Sequence, residues 1–173
     1  MRSQLVISIV LLLTGSIAHG ADVSQLELRI GNVRGLVGVG TDDMRNQLSV
    51  VLTNRSDSEV KIYDQWNSWG YGTLSFTIEM ENGEKKTLRR FNGIVWSGNG
   101  PDEVTLKPGD QYVFSVWLKH KEDRMYSNSW GPLRISNGDF PDVKLQAHYA
   151  SKSGPISSKP VSLRLQDQFG LDP

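Results

Sequence analysis

Leu74-Ser75-Phe76-Thr77-Ile78-Glu79-Met80 alternates apolar and polar side chains without a break, and Glu81-Asn82-Gly83-Glu84 follows it before Lys85-Lys86-Thr87-Leu88. Successive residues of a strand point to opposite faces, so this pattern places Leu74, Phe76, Ile78 and Met80 on a core and Thr73, Ser75, Thr77 and Glu79 towards water. Asn82-Gly83 tolerates the positive φ of a tight turn, which predicts a two-residue hairpin into the Lys85 to Phe91 segment.

The same period recurs along the chain. Leu26, Leu28 and Ile30 alternate with Glu27 and Arg29, and Leu48, Val50 and Leu52 continue the pattern. Tyr112, Phe114, Val116 and Leu118 follow, then Val143, Leu145, Ala147 and Tyr149, and finally Val161, Leu163 and Leu165. No segment sustains a helical period. Turn signals separate the runs: Asn92-Gly93, Asn99-Gly100-Pro101, Pro108-Gly109-Asp110 and Asn137-Gly138-Asp139. Many short strands without crossover helices predict an all-β, antiparallel β-sandwich of immunoglobulin-like type. Arg34 to Asp43 and Lys121 to Trp130 read as poor in strand, and Ser151 to Pro160 as loop.

The first 20 residues read as a secretory signal. Arg2 supplies a positive start, Leu5 to Leu13 an apolar run too short to span a bilayer, and Ala18 and Gly20 the small residues before a cleavage site. Cleavage after Gly20 leaves residues 21–173 as one domain, large enough to bury a core of its own. The expected localisation is secreted or periplasmic, with no membrane span in the mature chain.

The chain contains no cysteine. Thiol nucleophiles, thiolate metal sites and redox pairs are thereby excluded, and packing must hold the fold. With 19 basic and 19 acidic residues there is no electrostatic footprint for nucleic acid. The basic runs Lys85-Lys86 with Arg89-Arg90 and Lys119-His120-Lys121 read as solvated strand ends.

Several stretches in order show a resemblance. Leu48 to Asn54 with Ser56 and Asp57 reads as a strand and an "LTN-x-SD" turn, followed by Val60 and Ile62. "VTLKPGD-x-Y-x-F" runs from Val104 to Phe114, and a hairpin covers Val143 to Leu165. This order resembles exported immunoglobulin-like modules, including the BsuPI-type proteinase inhibitors. The resemblance implies the sandwich fold. The Trp-rich middle lies outside it, so no inhibitory residue is carried over.

Catalytic residues are not expected. His120 sits between lysines and His148 shares a solvent-facing side with Lys144 and Gln146, neither being a setting for a Ser-His-Asp triad. Asp42-Asp43 and Asp102-Glu103 lie in turns, where acids bond locally. Asn137, Asp139 and Asp142 match no calcium loop. No metal and no cofactor is expected.

The remaining signal is aromatic: Trp66, Trp69 and Tyr71 in "DQWNSWGYG", then Trp96 and Trp130. Two readings are open, indoles that fill the core and cover its ends, or an aromatic platform for a ligand. Trp66, Trp69, Tyr71, Trp96 and Trp130 are the candidate binding residues. The expected function is a non-enzymatic binding or accessory module with a protein partner. Its alternatives are a carbohydrate-binding module using Trp and Tyr, or a proteinase inhibitor.

Overall fold

The computed structural model describes residues 26–31, 36–39, 47–91, 96, 100–118, 129–131, 142–152 and 154–167, without the side chains of 36–39, 47 and 165–167. The proposed signal, Asp42-Asp43, His120, Asn137 and Asp139 lie outside the described residues. In chain order the strands are β1 Leu26–Gly31, β2 Leu36–Val39, β3 Gln47–Asn54, β4 Val60–Tyr63, β5 Leu74–Met80 and β6 Lys85–Arg90. They continue with β7 Glu103–Leu106, β8 Gln111–Leu118, β9 Ser129–Gly131, β10 Asp142–Ser151, β11 Gly154–Ser157 and β12 Val161–Asp167. No helix occurs among the described residues, and the all-β class holds.

Ten strands form one sheet ordered β1-β3-β8-β9-β6-β5-β10-β12-β2, with β11 beside β10, and β4 and β7 form a two-stranded sheet. The large sheet is mostly antiparallel and curls into a nearly closed, barrel-like shell. Its continuity depends on β9, which adds two residue pairs to β8 in parallel and two to β6 in antiparallel. This connected ladder does not establish the two separate sheets of an immunoglobulin-like sandwich.

Alternation sets the register. Leu145 lies opposite Ile78, Ala147 opposite Phe76 and Tyr149 opposite Leu74, so the inward residues of β5 and β10 meet in rows. On the other side Leu28 faces Leu52, and Val50 faces Phe114. A one-residue slip would turn each of these rows to water, and burial therefore specifies the pairing. Phe114 of β8 and Tyr149 of β10 are not sheet neighbours, yet their ring centroids are 5.8 Å apart across the interior. Ile62 of β4 and Leu106 of β7 join the same core, so the small sheet contributes its inner face to it.

The β5–β6 turn is longer by one residue than the Asn82-Gly83 pair suggests. The Gly83 N–H donates to the Met80 carbonyl and the Met80 N–H to the Glu84 carbonyl, leaving Glu81, Asn82 and Gly83 in the loop. The Asn82 Oδ1 accepts from the Glu84 N–H, and Gly83 takes φ +81°, the combination of a turn followed by a left-handed residue. Three short strands lie in stretches without readable alternation: β2 pairs with β12 in parallel, β9 bridges two strands, and β11 occupies the expected Ser151 to Pro160 loop.

Candidate functional site

β6 ends with Leu88 and Arg90 on its inner face and Arg89 outside. Arg90 is 6% exposed, and β9 lays Trp130 directly opposite it. The guanidinium carbon lies 4.1 Å from the Tyr71 ring centroid, 4.6 Å from that of Trp66 and 4.9 Å from that of Trp130. Such distances are those of cation–π attraction, which strengthens where water is excluded. Nη1 also donates to the Gln65 carbonyl at 2.9 Å. Burial lowers the Arg90 pKa from its ordinary value, opposed by the phenol oxygens of Tyr71 and Tyr112 and by Asp64.

Each ring is anchored separately. The Trp130 Nε1 donates to the Leu74 carbonyl at 3.0 Å, and its indole meets Phe76 edge-on at 6.0 Å. The Tyr71 hydroxyl donates to the Phe91 carbonyl at 2.5 Å, and the Tyr71 ring meets Trp96 edge-on at 5.3 Å. Burial raises the Tyr71 pKa, and the Arg90 charge opposes that rise.

The loop from Asp64 to Thr73 is a knot of local hydrogen bonds. The Asn67 Oδ1 accepts from the N–H groups of Trp69 and Gly70, each at 2.9 Å, and its Nδ2 donates to the Asp102 carbonyl at 2.7 Å. The Asp64 Oδ1 accepts from the Trp66 N–H at 2.7 Å, while the Tyr112 hydroxyl reaches Asp64 Oδ2 and accepts from the Gln65 N–H. Asp and Asn acceptors of this kind fix turns without strands. On this frame Trp66 is 54% exposed and Trp69 46%. They are the large aromatics left most open among the described residues.

The chain matches no family model and no curated protein. Among solved structures it is similar to the sporulation control protein Spo0M of Bacillus subtilis, with 10% identity over 83% of this chain and a TM-score of 0.35. The match covers 49% of Spo0M, so this chain spans about half that protein's length. A structural-genomics target designated SoR45 matches with 12% identity, 86% of this chain, 90% of its own and a TM-score of 0.35.

The five aromatic candidates thus divide. Trp130 is fully enclosed and Tyr71 buried, Trp96 is half-buried against Tyr71, and Trp66 and Trp69 face solvent. Trp66, Tyr71 and Trp130 come together around one cation, which the sequence reading placed in a solvated run. The signal for Arg90 was present in the alternation, two residues beyond the inward Leu88. The bracing roles of Asp64 and Asn67 had no pattern to announce them.

Among the described residues, the other polar clusters lie apart from one another. His148 is half-buried, with Nε2 2.9 Å from the Thr77 Oγ1 and Nδ1 2.8 Å from the Ser157 Oγ, on the outer face of the sheet. Glu103 bonds Lys152 and lies 3.7 Å from Lys61; the Lys152 hydrogen bond holds its carboxyl below the usual range. A shallow depression of about 200 Å³ is lined by Glu79, Glu81, Asp142, Lys144 and Ser162 among others. Its Glu79 is held below the usual carboxylate range by Lys85, 3.2 Å away, and by Lys144. Among the described residues no three His, Asp or Glu side chains group as metal ligands, and no helix is long and apolar enough to cross a membrane.

Proposed function

We propose that this chain is a non-enzymatic, exported binding or accessory module whose contact face is the Asp64–Thr73 loop and whose partner is a protein. The observation that carries this reading is the exposure of Trp66 and Trp69 on a loop fixed by Asn67 and Asp64. Indoles held open to water on a rigid frame lose little further entropy on contact, and Trp dominates the energetics of protein interfaces. In this reading residues 21–173 form one domain, secreted or periplasmic after removal of the signal. We read the shell as an immunoglobulin-like sandwich whose two faces, β1-β3-β8 and β6-β5-β10-β12, are joined by the three-residue β9; the Phe114–Tyr149 contact across the interior supports it.

A sugar would also stack on Trp66 and Trp69. The neighbouring amides of Gln65 and Asn67 are buried, so the two amide side chains best placed to bond sugar hydroxyls beside the indoles are withdrawn from the face. That favours a protein over a glycan. An inhibitory loop would be extended to fit a proteinase cleft, whereas the Tyr71 N–H folds back on the Asn67 carbonyl at 2.9 Å.

The test compares the full chain with a Trp66→Ala/Trp69→Ala variant. Cross-linking to extracellular and periplasmic extract identifies the wild-type partner, and the purified partner is then titrated against both. We expect the double variant to bind at least tenfold more weakly, about 1.4 kcal/mol or more, with unchanged unfolding. Equal affinity, or protection of Trp fluorescence from acrylamide by a soluble glycan, overturns the protein-binding reading.

A further inference from the structure

We propose that Arg90 is the positioning residue of this contact face, a built-in occupant of an aromatic cage that fixes the outward pose of Trp66. The inference rests on the reading of the Asp64–Thr73 loop as the contact face, and it concerns how that face is held.

Trp66 is 54% exposed, so burial alone does not hold its indole in place. Its backbone N–H is fixed by Asp64, but a capped backbone leaves χ1 and χ2 free to turn. The Arg90 guanidinium lies 4.6 Å from the centroid of the ring itself, where it can limit that turning. Arg90 in turn has little freedom. Tyr71 and Trp130 contact it at 4.1 and 4.9 Å, and the Gln65 carbonyl accepts from its Nη1. Both of those rings are themselves tied to backbone carbonyls, Tyr71 to Phe91 and Trp130 to Leu74. A chain of fixed groups therefore runs from the core through one planar cation to one exposed ring.

The shape of the cation matters as well as its charge. A guanidinium is flat, stacks on aromatic faces and bonds a carbonyl in its own plane; an ammonium is a compact, strongly hydrated point. Arg90→Lys keeps the charge and loses the plane. Arg90→Met keeps the stem and loses both.

The test reads the free protein, so it does not depend on a partner. The indole Nε1–H signals of the full chain are assigned by single Trp→Phe substitutions, and the heteronuclear NOE of each is measured in the wild type, Arg90→Lys and Arg90→Met. We expect the NOE of Trp66 to fall in Arg90→Lys towards that of an unrestrained side chain, while those of Trp117, half-buried on β8, and of the enclosed Trp130 stay at wild-type values and unfolding stays cooperative. If Arg90→Met fails to fold, Arg90→Lys decides alone. An unchanged Trp66 NOE in Arg90→Lys overturns the proposal, because the loop's own hydrogen bonds then suffice. Equal loss of order at all the indoles also overturns it, since Arg90 would then be a general stabiliser. Partner affinity is a separate readout. If Trp66 loses order in Arg90→Lys while Trp66→Ala leaves partner binding intact, the positioning role stands and the contact-face reading falls.

Discussion

The Asn54 Nδ2 donates to the Leu106 carbonyl at 2.9 Å, tying the end of β3 to the end of β7 across 52 residues of chain. The same amide donates to the Ser58 carbonyl at 2.8 Å, and its Oδ1 accepts from the Ser56 N–H and hydroxyl. Asn54 is 0% exposed, so each of these groups lacks water as a substitute. We expect Asn54→Ala to destabilise the protein by about 2–3 kcal/mol, the usual penalty for stranding buried carbonyls. A urea titration with unchanged slope checks it. Asn54 also opens an Asn-Arg-Ser sequon; because its amide is enclosed in the fold, a chain glycosylated there during synthesis in a eukaryotic secretory host should fail to fold, and the folded fraction should show no mass shift on endoglycosidase treatment.

Gly70 permits the closest backbone approach in the aromatic loop. A Cβ there would sit 2.0 Å from the Asp64 carbonyl oxygen, a backbone atom that cannot swing aside, whereas a Cβ at Gly72 would meet nothing within 4 Å. Gly70→Ala must therefore open the turn that Asn67 closes. We expect a loss of about 2–3 kcal/mol for Gly70→Ala, as for overpacking elsewhere, and about 0.5 kcal/mol or less for Gly72→Ala. Thermal unfolding of the two variants side by side separates a steric requirement at one position from mere glycine content.

Strand faces were readable because one residue in two must be apolar to build this shell. Leu74, Phe76 and Ile78, and Val143, Leu145, Ala147 and Tyr149, all turned inward as their spacing dictates. Strands of three or four residues carry too few alternations to stand out, and β9 and β11 were missed for that reason. Strand order was not legible, since it depends on which faces meet and not on any one strand's pattern. At the site the sequence pointed to the aromatics but not to what joins them. Arg90 carries a charge, and a charge beside Arg89 reads as solvent-facing until three rings from β9 and the Asp64–Thr73 loop are brought over it.

Trp130 and Trp69 make a matched pair of opposite burial. Trp130 is fully enclosed, packs on Phe76 and bonds Leu74, so Trp130→Ala removes a large core side chain and strands a carbonyl. We expect about 3–5 kcal/mol for Trp130→Ala and about 0.5 kcal/mol or less for Trp69→Ala. Denaturant unfolding of each checks the contrast. A large loss at Trp69 would mean that its ring braces the fold and does not simply face solvent.

Tyr149 predicts the alkaline limb of stability. Burial pushes its pKa up to about 12 from an ordinary 10.0, with the nearby Tyr112 adding to the rise and a hydrogen bond to Thr73 opposing it. A raised folded pKa means that the folded state keeps its proton where the unfolded state has lost one. The contribution is therefore complete below pH 10.0 and is lost progressively as pH climbs towards about 12. A shift of this size corresponds to about 2–3 kcal/mol across that window. Tyr71 and Tyr112 are shifted the same way, chiefly by burial, and steepen the same limb. Lys152 is raised too, by its bond to Glu103, but it is exposed, and solvent screening keeps its share small. Tyr149→Phe removes the titrating hydroxyl and leaves the ring that meets Phe114. We expect the variant to lose stability less steeply than the wild type over this range, read as urea midpoints at successive pH values. Parallel curves for the two proteins would mean that the phenol ionises as readily in the fold as outside it.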